Sequence, residues 1–138
     1  MDVPRFYSRS VNLLDRAVLI ARVANTLRPG AGIEPEADAQ RLRAAAILGL
    51  GNPSMASIAA RRSRELSPLH PLGYRLSAQA LIDMHHEDEA IMTLMTGSIV
   101  SGDRELGRMA MSLYTPDIDP KQCAVFGTGA DAALNMQC

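Results

Sequence analysis

With 138 residues, 47% of them hydrophobic and 21% charged, the chain has ordinary globular composition and enough length to bury a core without staples. Its formal net charge of −1 speaks against nucleic acid as a partner, because neutralising phosphates takes a basic surface. The one basic run, Arg61-Arg62-Ser63-Arg64, is offset by Glu65 and Glu87-Asp88-Glu89 and reads as a solvated helix face.

There is no Trp, and three Tyr and two Phe leave an aliphatic core of Leu, Ile, Ala and Met, which suits close-packed helices better than sheets. The first helix is expected from about Ser8 or Ser10, either a plausible N-cap, to Leu27. Leu13, Ala17, Ile20, Ala24 and Leu27 form its apolar face, widened by Leu14, Val18 and Ala21. Its run Ala17–Ala21 is closed off by Arg16 and Arg22, too short for a signal peptide or a membrane span. Pro29, Gly30 and Gly32 end the helix.

A second helix opens at Glu34-Pro35-Glu36 and stops at Gly51, and Asn52-Pro53 starts a third, running from Ser54 to Leu66. His70-Pro71 starts a fourth helix reaching about Met84, and the acidic turn Glu87-Asp88-Glu89 opens a fifth through Val100. Asp103 caps a sixth, stopped by Thr115-Pro116. Residues 117–138 lack periodicity and read as an irregular tail. Cys123 and Cys138 both fall there, so no disulfide framework is expected and a reduced, cytoplasmic chain is the simpler reading. Turns this short force neighbouring helices antiparallel, so the fold expected is all-α.

Sliding the chain along itself until Ala44 falls on Ala78 brings the second helix onto the fourth and the third onto the fifth. In the same register Ile47 falls on Leu81, Gly51 on His85, Ala56 on Ala90, Ala60 on Leu94 and Ser63 on Gly97. In this pattern the chain resembles the tetratricopeptide repeat family: a bulky residue early in the first helix, small residues where two helices cross, and a glycine-type turn. The resemblance implies antiparallel helical hairpins stacked as an α-solenoid over residues 1–116. Its repeats would span about 37–70 and 71–104, with a partial third at 105–116 and an extra N-terminal helix. Gln40 where an aromatic is usual, His85 where glycine is usual and Gly102 where proline is usual depart from the family pattern.

Two stretches invite chemistry. His85-His86-Glu87-Asp88-Glu89 contains metal-ligand types, but adjacent histidines diverge on a helix, and no metal site is expected. Gly127-Thr128-Gly129 looks like a phosphate loop, yet a dinucleotide site needs it inside a βαβ unit. No cofactor and no catalytic residue is therefore expected, and a nucleotide-dependent enzyme ranks last among the readings.

What the family resemblance implies instead is a concave groove holding a peptide or an amphipathic helix of a protein partner. Carried across, its lining is Arg41, Ala45, Leu48, Leu72, Arg75, Gln79, Ile82, Leu106, Met109 and Leu113. This makes an adaptor or chaperone the leading expectation. Within that class the chain is similar in architecture to the tetratricopeptide-type chaperones of type III secretion. The alternative is a self-associating structural subunit, a homo-oligomer or part of a larger assembly.

Overall fold

The computed structural model describes residues 3–114, apart from the side chains of residues 3, 4 and 6. The chain forms six helices: α1 (Val3–Leu27), α2 (Ile33–Gly49), α3 (Pro53–Leu66), α4 (Pro71–Asp83), α5 (Glu87–Ser101) and α6 (Arg104–Leu113). There is no strand among the described residues. The glycine loop at 127–129, both cysteines and the 117–138 tail lie outside them. No helix is long and apolar enough to cross a membrane.

Local chemistry sets most of the boundaries. Asn52 accepts a hydrogen bond from the Met55 N–H at 3.3 Å, His70 from Leu72 at 3.2 Å and Asp103 from Glu105 at 2.9 Å, so three helix starts are capped by side chains. Pro53 and Pro71 occupy first-turn positions, where a missing N–H costs nothing. Helix α5 has no side-chain cap, but Glu87, Asp88 and Glu89 face its positive end. Helix α1 begins ahead of the expected Ser8 or Ser10, because no Gly or Pro between Arg5 and Leu27 interrupts it.

The turns after α2 and α4 are the same structure, one hairpin apart. In the first, the N–H groups of Leu50, Gly51 and Asn52 bond to the carbonyls of Ala46, Leu48 and Ile47. In the second, Met84, His85 and His86 bond to Ala80, Ile82 and Leu81. Both close with the long-range bond of a Schellman turn, which satisfies carbonyls left over at a helix end. The geometry requires a left-handed residue, supplied by Gly51 at φ +80° and by His85 at φ +63°.

Each helix packs on the next in chain order, and α2 also touches α4. The crossing residues Ala44, Ala56, Ala78 and Ala90 are fully buried, as the close approach of two helix backbones demands. Around Ala78 and Ala90, the residues Tyr74, Leu94, Leu106 and Ala110 complete the largest apolar cluster. Gly97 lies so close to Tyr74 that a Cβ there would sit 2.5 Å from the tyrosine Cγ. Tyr74 is fixed further by its hydroxyl, which donates to the Pro68 carbonyl at 2.8 Å, and by the Arg64 guanidinium 5.5 Å over its ring.

Helix α1 is seated by a different face from the one its leucine spacing suggests. Val18 and Ala21 are buried, whereas Leu13, Ile20 and Leu27 are 64%, 70% and 82% exposed. The reason is steric: Gly32 packs directly against the Ala21 carbonyl, an approach that only small residues on that face of α1 allow. The large residues are rotated out to solvent.

Candidate interaction surfaces

The ten groove residues expected from the sequence fall on α2, α4 and α6, and the structure brings part of the set together. Ile82, Met109 and Leu113 pack half-buried against the same cluster around Tyr74, and Leu48 packs against Ile47, Ala56 and Ala80. Ala45, Leu72, Arg75 and Gln79 reach solvent, with Gln79 donating to Asp83 at 2.9 Å.

Arg41 and Leu106 do not line an open surface. Arg41 is only 4% exposed, because α2 is flanked by α1, α3 and α4 and little of its circumference stays free. Its guanidinium pairs with Asp38, while Nη1 has no hydrogen-bond partner. Leu106, 2% exposed, belongs to the Tyr74 cluster, where its side chain closes on Gly97.

The larger apolar surfaces lie elsewhere. On α1, Leu13, Leu19, Ile20, Val23 and Leu27 are all exposed. Positions 13, 20 and 27 repeat at heptad spacing, with 23 on the same side, so these residues form a continuous stripe along the helix. At the other end of the helix series, Met95, Ile99 and Met111 line an open depression of about 500 Å³ between α5 and α6, rimmed by Arg104 and Arg108. Spacing did not mark the α1 stripe in the sequence: Leu13, Ile20 and Leu27 share their side of the helix with Ala17 and Ala24, and the seated side is that of Val18 and Ala21.

One buried carboxylate ties α1, α2 and α3 together. Glu36 Oε1 accepts from Arg22 Nε at 3.0 Å and from Arg62 Nε at 3.3 Å. Burial raises the carboxyl pKa, but the two guanidinium hydrogen bonds and charges outweigh it, and the net result lies below the ordinary 4.5. Arg43 pairs with Asp15 at 2.6 Å and fastens α2 to α1 a second time. The acidic turn at α5 offers no metal cage: His86 Nδ1 lies 3.4 Å from Glu89, His85 occupies the left-handed turn position, and no group of three or more His, Cys, Asp or Glu converges among the described residues.

Compared with known proteins, the chain matches no protein-family model, no curated protein and no solved structure.

Proposed function

We propose that this chain is a helical-hairpin repeat module of tetratricopeptide type, acting as an adaptor or chaperone that binds an amphipathic segment of a partner polypeptide. The observation that carries the reading is the α1 stripe: five large apolar side chains on one helix, all solvent-facing. A soluble monomer seldom leaves so continuous an apolar face uncovered, and an amphipathic partner helix laid along it would bury Leu and Ile anchors worth roughly 1.5–3 kcal/mol each. The half-buried trough of Leu48, Ile82, Met109 and Leu113 extends the apolar surface available to the partner. Support for the repeat architecture comes from the two matching turns and from the buried alanine crossings, Ala44 with Ala56 and Ala78 with Ala90, which recur in the same register. A cytoplasmic setting belongs to this reading, which assigns no catalytic residue.

Self-association is the second reading, and it too has an observation in its favour. Both terminal faces of the helix series, α1 and α5–α6, are apolar, as stacking of copies end to end would require.

The test is Ile20→Asp. Exposed as it is, Ile20 can be replaced with little change in stability, about 0.5 kcal/mol or less, so circular dichroism and melting should match the wild type. Partner capture from the native host should be lost under the first reading. Light scattering behind size exclusion should show an oligomer reduced to a monomer under the second. A folded Ile20→Asp variant with every wild-type partner and an unchanged mass would overturn both.

A further inference from the structure

Between α3, α4 and α5 lies a second cavity of about 340 Å³, on different residues from the groove and from both apolar faces. Helix α3 sends Arg61 and Arg64 to it from one face, α4 contributes Ser77 and Leu81, and the start of α5 contributes His86 and Glu89. Several arginines elsewhere in the described chain are balanced by carboxylates: Arg22 and Arg62 by Glu36, Arg41 by Asp38, Arg43 by Asp15 and Arg108 by Glu105. Arg61 has no ion pair among the described residues, and Arg64 stacks on Tyr74 with its Nε unpartnered. Ser77 is 5% exposed and its hydroxyl also has no partner.

Buried donors left unpaired cost about 1–3 kcal/mol each, so their convergence at one cavity calls for an acceptor. Burial pulls the Arg64 pKa below its ordinary value; Tyr74 and Glu65 counter this, while the charge of Arg61 adds to the lowering. The two guanidiniums therefore repel each other across a space whose lining carries one carboxylate, Glu89, 3.4 Å from His86 Nδ1, while Glu65 lies outside the lining and pairs with Arg62 at 3.4 Å.

We infer that this cavity is a binding site for a small, singly charged oxyanion, a carboxylate, held by Arg61, Arg64 and the Ser77 hydroxyl with its apolar end against Leu81. The charge count selects the ligand. Two arginines and Glu89 leave one net positive charge, which a carboxylate neutralises and a phosphate dianion over-fills. Guanidinium forks and a hydroxyl donor are the groups that carboxylate oxygens accept from most strongly.

The experiment is a ¹H–¹⁵N titration of the whole chain with sodium propionate, replacing sodium chloride at constant ionic strength. Saturable shifts are expected at the Ser77 amide and at the Arg61 and Arg64 Nε–H groups. Arg61→Gln and Ser77→Ala should each weaken binding about tenfold or more. Ser77→Ala gives an independent readout: without ligand it should melt no lower than wild type, since it removes a buried hydroxyl that lacks a partner, yet it should lose the stabilisation that propionate gives. Phosphate at a pH where it is doubly charged should bind several-fold more weakly. Three results would overturn the assignment: shifts indistinguishable from those of chloride, propionate affinity unchanged in both variants, or phosphate binding more tightly than propionate.

Discussion

Replacing Gly97 with alanine tests the packing of α5 on α4 in a way whose sign is not obvious from sequence. Gly97 sits in the interior of a helix, where alanine is ordinarily better by about 0.5–1 kcal/mol, so helix propensity alone predicts a gain. The structure predicts the reverse. An added Cβ would lie 2.5 Å from Tyr74 Cγ, 2.6 Å from its Cβ and 3.0 Å from Leu106 Cδ1, where carbon atoms pack best at about 3.5–4.0 Å. The tyrosine atoms involved are next to its backbone and cannot swing clear, and its hydroxyl is held by the Pro68 carbonyl. Overpacking costs about 1–3 kcal/mol, and contacts this short belong to the upper part of that range, about 2–3, which exceeds the propensity gain and leaves a net loss of roughly 1–2 kcal/mol. Thermal unfolding followed by circular dichroism should show a drop of about 3–10 °C. A second variant checks the cause. Gly97→Ser and Tyr74→Gln together recreate the Gln40 and Ser63 pair that stands at the matching positions of the preceding hairpin. They should cost less than the sum of the single changes, by about 0.5–3 kcal/mol. An alanine variant as stable as the wild type, or more so, would mean that α4 and α5 do not meet at Gly97.

Two further outcomes follow from features of the turns and of the buried carboxylate. His85→Gly should stabilise, because a left-handed non-glycine residue costs about 1–2 kcal/mol and glycine gives back only about 0.5–1 in chain entropy; a lower melting temperature would show that the imidazole makes a contact outweighing the strain. Glu36 has a folded pKa below its ordinary 4.5, so the stability it contributes is fully present above that value and is lost as pH falls through the lower folded value. Urea midpoints measured from about pH 7 to about pH 3 should therefore show the wild type's advantage over Glu36→Gln shrinking only in the acid range, and a constant difference would contradict the pairing with Arg22 and Arg62.

The helices were legible in the sequence because their ends are written in local chemistry: Asn52-Pro53, His70-Pro71 and Asp103 act within a few residues of themselves. The crossing alanines were legible for a related reason, since a single repeat spacing exposes them whatever surrounds the hairpins. The orientation of α1 was not. Leu13, Ile20 and Leu27 have the spacing of a core face, and it is the contact between Gly32 and the Ala21 carbonyl that goes with the Val18 and Ala21 side turning inward. Two of the expected groove residues are buried, for reasons that no local pattern carries: three helices surround Arg41 on α2, and Leu106 on α6 fills the Tyr74 cluster against Gly97. The Arg61, Arg64 and Ser77 cavity draws on three helices, and no short-range pattern joins them.

Asn52 and His86 each belong to two helices at once, closing the turn of the one before and standing at the N-cap of the one after. No residue in either connection is spare. An insertion between Gly51 and Asn52 would separate the closing bond from the cap, and one inside α3 would rotate every later side chain by about 100°, carrying Ala59 and Ala60 out of their contacts. A deletion does the same in the opposite sense. Small changes of length fall more readily to the links outside these hairpins, around Pro29 and Gly30 and at residues 67–70. The connections through Asn52 and His86 thereby each fix the spacing of the helices they join.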